Sequence, residues 1–148
     1  MAGPQVLRTA LTWANGTSVV GLALALAART ALRRGPDGVL LAGGYRFPAP
    51  KQPLFTIGSV IFTRTTAGWL SEHPALVAHE SRHVTHYALL GPLYWPVYWA
   101  ASAYSAALTG DFFSRNVLER HAGLDAGGYG ERPLRPWATR LRAAVTRG

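Results

Sequence analysis

Residues 73–92 read His73-Pro74-Ala75-Leu76-Val77-Ala78-His79-Glu80-Ser81-Arg82-His83-Val84-Thr85-His86-Tyr87-Ala88-Leu89-Leu90-Gly91-Pro92. This stretch decides how the rest of the chain is read. Ser71 or His73-Pro74 opens a helix, because proline is tolerated in a first turn, and Gly91-Pro92 closes it, giving a helix over 73–90. Leu76, His79, His83, His86, Tyr87 and Leu90 recur at helical spacing and make its inward stripe, with Arg82 pointing away. Histidines on a buried stripe are costly unless something holds them there. Within the stripe, His79-Glu80-Ser81-Arg82-His83 has the pattern H-E-x-x-H. The two imidazoles, one turn apart on one face, can reach a single Zn²⁺. Glu80 stands beside the first of them, where a carboxylate can take a proton from a water on that metal.

The composition narrows what can surround this motif. A chain of 148 residues is expected to form one domain with a real core. Hydrophobic residues are 49% and charged residues 15%, which excludes a disordered chain and suits a well-buried or membrane-associated one. There is no cysteine, so disulfides and thiolate metal sites are excluded, and any metal must be held by His, Asp or Glu. The net charge of +8 rests on fourteen arginines and Lys51. The arginines are scattered and no nucleic-acid motif accompanies them, so no nucleic-acid partner is expected.

Outside the motif helix the pattern predicts an α+β fold, mainly helical, with a small sheet ahead of that helix. An Ala- and Leu-rich helix is expected over 17–33, capped by Thr17 or Ser18. Its apolar run, Val19 to Ala28, has signal-peptide length but is too short to span a bilayer. Asn15-Gly16-Thr17 interrupts the approach and Arg29, Arg33 and Arg34 follow, which favours a structural helix over a secretion signal or an anchor. The expected location is cytoplasmic or membrane-associated, the latter through this helix. A small sheet is expected over 38–64, with Val39-Leu40-Leu41 and Tyr45-Arg46-Phe47 paired around Gly43-Gly44 and one strand over 54–63. Gly58 in that strand signals a bulge or a close backbone approach. Residues 93–108 read as an aromatic core helix, since no charge falls between Tyr87 and Gly110. A helix over 111–124 follows, and a basic tail over 131–148 in which Trp137, Leu141 and Val145 dock one side of a short helix, leaving Arg140, Arg142 and Arg147 to solvent.

Two histidines and a water need a third protein ligand. Glu119 is the preferred one, because it lies mid-helix between Leu118 and Ala122, where an unpartnered carboxylate would be penalised. His86, His121 and Asp125 stay open as alternatives, whereas Asp111 reads as a helix cap and Glu131 as a loop partner of Arg132.

H-E-x-x-H on one helix, followed by Asn116-x-x-Glu119-x-x-Ala122 on a later one, resembles the gluzincin clan of zinc metallopeptidases. The short chain with a sheet before the motif helix is similar to the single-domain minigluzincins. With Leu90-Gly91-Pro92-Leu93-Tyr94 and Gly127-Gly128 it also resembles small bacterial H-E-x-x-H proteins, over roughly residues 54–129. The resemblance implies a zincin-like domain in which His79, His83 and Glu119 bind zinc and Glu80 is general base and acid. It also implies that the strand around Thr56–Thr63 is the sheet edge that pairs with an extended peptide. Gly123 stands where the clan often has an aspartate bracing the first histidine, a contact that Asn116 or Asp125 would have to replace. His86 stands where small relatives often carry glutamine, a supporting position.

The expected function is thus a zinc-dependent peptidase acting on peptide or protein, with Tyr87, His86, His121 and Tyr129 as candidate oxyanion donors. The rival expectations are a zinc-binding but inactive interaction domain and a membrane-associated metalloprotease.

Overall fold

Glycine and serine placement explains the first half of the chain in the computed structural model, which describes residues 3–146; Arg147 lies outside them. The contact pattern divides the chain into two compact units, one up to Tyr94 and one from Trp95 onward.

In the first unit, α1 (Pro4–Ala14) and α2 (Thr17–Ala27) meet at Asn15-Gly16, where Gly16 takes a left-handed conformation. The Asn15 side chain accepts from Thr17 N and donates to the Tyr87 carbonyl, which fixes the elbow. The expected helix over 17–33 ends early. Arg29 turns left-handed (φ 52°) and Thr30 N reaches back to the Ala25 carbonyl, a closure of the Schellman type. The following residues form β1 (Ala31–Arg34), antiparallel to β2 (Leu40–Gly43). Pairing across the sheet thus overrides the helix preference of Ala-Leu-Arg-Arg. The expected pair 39–41 with 45–47 does not form either. Gly44 bends the chain at φ 77°, and Tyr45 instead packs its ring against Phe47, Phe55 and Phe62.

The single strand expected over 54–63 is two, β3 (Leu54–Ile57) and β4 (Val60–Thr63), folded back on each other at Gly58-Ser59. Gly58 sits at φ 60° against the α2 backbone; a Cβ there would lie 2.4 Å from Ser18 N. The sheet order is β1-β2-β4-β3, with β2 and β4 parallel. So β3, carrying Thr56, is an edge, whereas β4, the other half of the expected edge strand, is internal.

A short α3 (Ala67–Ser71), capped by the Thr66 hydroxyl, leads into α4 (Pro74–Leu90), whose ends are set by Pro74 and by Gly91. Val39, Leu41, Ile61, Ala67, Leu70, Val77 and Val84 form the buried core between sheet and helices. The other face of α4 buries His79, Glu80, His83, His86 and Tyr87.

The second unit contains most of α5 (Tyr94–Thr109), then α6 (Val117–Ala122) and α7 (Pro136–Val145). The aromatic residues expected to be core are so only in part: Tyr94 is buried and Trp95 and Tyr98 are half-buried. Trp99 and Tyr104 are exposed, whereas Ser102 and Ser105 are buried. The helix expected over 111–124 is shorter because two caps interrupt it. Asp111 Oδ1 accepts from Phe113 N and Ser114 N, and Asn116 Oδ1 accepts from Leu118 N to begin α6. Trp137, Leu141 and Val145 lie on α7 and are half or more exposed, and Ala138 is the residue of that helix that is buried.

Gly58→Ala should lower unfolding free energy by about 2 kcal/mol or more, since it adds a left-handed penalty to a backbone clash. Urea denaturation followed by circular dichroism reads this directly. Arg29→Gly, which relieves the left-handed arginine, should stabilise by about 0.5–1 kcal/mol in the same assay.

Candidate metal centre

A buried imidazole must satisfy two ring nitrogens, and the H-E-x-x-H pair does so in a particular way. His79 and His83, one turn apart on α4, are both at least 96% buried and face each other through Nε2, 3.3 Å apart. Two nitrogens bound to one tetrahedral Zn²⁺ at about 2.0–2.1 Å would be separated by about 3.3–3.4 Å. The spacing therefore suits a shared ion as well as it suits a hydrogen bond.

The remaining nitrogen of His83, Nδ1, is 3.2 Å from His86 Nδ1 and 3.3 Å from the Tyr94 hydroxyl. With Nε2 committed to a metal, Nδ1 would carry the proton and donate it to one of these neighbours, fixing the ring's tautomer and orientation. His86 is thus a support of His83 on the same helix.

Glu80 is also buried, and its Oε2 accepts from the Thr56 hydroxyl at 2.7 Å. Thr56 belongs to edge strand β3, and its carbonyl accepts from the Tyr87 hydroxyl at 3.1 Å. Tyr87 stacks on Tyr94 with centroids 3.9 Å apart. Burial first, and the charge of Glu80 second, hold the Tyr87 phenol well above its usual range, so it stays protonated and keeps donating. Edge strand, base candidate and histidine pair are tied together within the first unit by these hydrogen bonds and by the Tyr87–Tyr94 ring contact.

Glu119 sits on α6, 2% exposed. The short helix places it at its third position, where Asn116 Oδ1 accepts from Glu119 N at 3.4 Å, and Asn116 Nδ2 donates to Ser102 Oγ. The Tyr98 hydroxyl donates to Glu119 Oε1 and orients the carboxylate. The ligand atoms of His79, His83 and Glu119 all lie within 4.8 Å of one another, and this buried His/His/Glu group can hold a metal ion. Two imidazole nitrogens and one carboxylate oxygen form a donor set suited to zinc.

His121 is exposed at the end of α6, and Asp125 is exposed in the turn that follows. Tyr129 stacks on Phe113. At the position of the expected bracing aspartate, Gly123 ends α6 with φ 95°. Thr56, Tyr94 and Tyr98 were not anticipated from sequence. No short spacing links them to the residues they support, and only the hydroxyl chemistry of an otherwise apolar strand or helix marked them.

No family model matches this chain, no curated protein matches it, and no solved structure matches it.

If the group holds zinc, Glu119→Ala should cut zinc affinity by more than about 100-fold, and Tyr98→Phe, which removes the bond orienting that carboxylate, by about tenfold. Competition with a zinc-chelating dye measures both. Unchanged stoichiometry and affinity in Glu119→Ala would remove it from the ligand set.

Proposed function

We propose that this protein is a zinc-dependent hydrolase, a small metallopeptidase of gluzincin type. The observation that carries the reading is the buried His79–His83–Glu119 group with a second buried carboxylate, Glu80, one residue from its first histidine. A metal-holding group needs three ligands. The adjacent Glu80, fixed by Thr56 and absent from the ligand set, is what a hydrolytic centre adds.

Zinc bound there would supply Lewis acidity and make water a competent nucleophile near neutral pH. The protein's own groups do the rest. His79, His83 and Glu119 set the donor geometry, with His86, Tyr94 and Tyr98 holding those side chains in place. Glu80 accepts a proton from the attacking water as its oxygen adds to the scissile carbonyl carbon. It then delivers that proton to the amide nitrogen as the C–N bond breaks. The Thr56 hydroxyl keeps the carboxylate aimed while the proton arrives and leaves. Edge strand β3 carries Thr56, so an extended peptide pairing along β3 would bring its carbonyls past Glu80.

Glu80→Gln should retain zinc at wild-type stoichiometry and reduce cleavage of a mixed peptide library by about 100-fold or more. Mass spectrometry of the digest, with metal analysis of the same sample, reads both quantities. Full activity in Glu80→Gln would overturn the mechanism. A folded, zinc-loaded wild type that cleaves nothing would make the centre a metal-binding domain without hydrolysis.

A further inference from the structure

Helices α1 and α2 are built the wrong way round for water. In α2 the outward-facing residues are Val19, Val20, Ala23, Leu26 and Ala27, and none is polar. Val20 is 57% and Leu26 63% exposed, while Thr17 and Ser18 of the same helix are buried. In α1, Val6, Leu7, Leu11 and Trp13 are exposed, while Thr9 and Thr12 are buried. A surface helix in water shows the opposite arrangement, and contiguous exposed apolar faces of this kind mark interaction sites.

The buried polar groups explain how the inversion is tolerated. Ser18 Oγ bonds Thr12 Oγ1, Ser59 Oγ and Ser59 N, and Thr12 Oγ1 donates to the Thr9 carbonyl. Gly21 rests against the Ile57 carbonyl, where a Cβ would lie 2.4 Å away. Helix α2 is thus seated on the β3–β4 turn through small and hydroxyl-bearing residues, α1 is tied to it through Thr12, and the large aliphatic side chains of both are turned out.

We propose that α1 and α2 lie in the surface of an anionic lipid bilayer and hold the protein there. The charge pattern selects the occupant. The exposed arginines of residues 1–36 are Arg29, Arg33 and Arg34, and that stretch has no acidic residue; Arg8 is turned inward, 3.9 Å from Asp37. Arg29, Arg33 and Arg34 follow α2 directly and are exposed. Aliphatic outer faces with arginines at their margin suit insertion to the headgroup–acyl boundary of acidic lipid. Spanning is a poor fit. Among the described residues no single helix is long and apolar enough to cross a membrane, and α1 and α2 are bent by 76° where they meet. An in-plane elbow accommodates that bend.

The seat has a consequence for the motif helix. Arg8 Nη1 donates to the Ser81 carbonyl and Thr85 Oγ1, and Asn15 Nδ2 to the Tyr87 carbonyl, so α1 and the elbow that follows it are bonded directly to α4. Binding at this face would carry α4 to the membrane surface in a fixed attitude. The proposal concerns location, and it stands or falls apart from the hydrolytic reading.

The test is flotation of the full chain with phosphatidylcholine vesicles, with and without phosphatidylserine. The wild type should float with the mixed vesicles and lose most of that binding in high salt. Val20→Glu combined with Leu26→Glu should lower partitioning at least about tenfold, because both positions would enter the apolar layer. Replacing Arg29, Arg33 and Arg34 by Gln should weaken binding to the phosphatidylserine vesicles and leave the residual binding to neutral ones unchanged. Zinc content and thermal melts of each variant show that the fold is retained. Failure of the wild type to float, or unchanged flotation of the glutamate variant, overturns the proposal. So does a lipid-free dimer that the glutamate variant abolishes, which would assign the face to a second copy of the chain.

Discussion

Burial of His79, Glu80, His83 and His86 on one face of α4 is the constraint to which the surrounding structure answers. Each of these groups costs several kcal/mol if its polar atoms are left without partners in a low-dielectric interior. The Thr56 hydroxyl, the Tyr94 hydroxyl and the facing imidazoles meet part of that demand. Those partners in turn dictate their own supports. Thr56 is held by strand pairing to Ile61, and its carbonyl takes the Tyr87 proton. Replacing α4's stripe by leucines would leave the helix intact and strip these hydroxyls of their purpose.

The sequence shows some of this directly and hides the rest for identifiable reasons. Pro74 and Gly91-Pro92 are strong local signals, so α4 can be placed to within a residue. His79, His83 and Glu119 were legible as one metal-holding group because their chemistry is expensive to bury without a purpose. Residues 54–63 misled because Gly58 is β-compatible in pattern, and only its contact with Ser18 shows that the chain reverses there. Residues 31–34 misled because Ala, Leu and Arg favour helix, whereas the deciding partner is β2. Thr56 and Tyr98 were invisible because a hydroxyl has no periodicity. Their importance arises from residues 24 and 21 positions away.

The inverted helices illustrate a different limit. Apolar periodicity says which residues share a face and leaves open which way that face points. For α4 the stripe points inward. For α2 the aliphatic positions point outward, because Gly21 and Ser18 are the residues small enough to sit on the β3–β4 turn. The same inversion recurs within α5, where Ser102 and Ser105 are buried and Trp99 and Tyr104 are exposed. Small residues decide the contact by allowing close approach, and the large ones are displaced to the other side.

The strand order β1-β2-β4-β3 also fixes how this unit can assemble in time. Two antiparallel hairpins, β1–β2 and β3–β4, are each closed by short connections and can form from neighbouring residues alone. Only the parallel seam that pairs Leu40 with Val60 requires distant segments to meet. Loop closure must be completed before that seam contributes any hydrogen bond, which makes it the least local pairing of the sheet. The Ser18–Ser59 contact seats α2 on one of the two hairpins. The histidine-bearing helix meets this sheet at β3, where Thr56 bonds Glu80 and accepts from Tyr87.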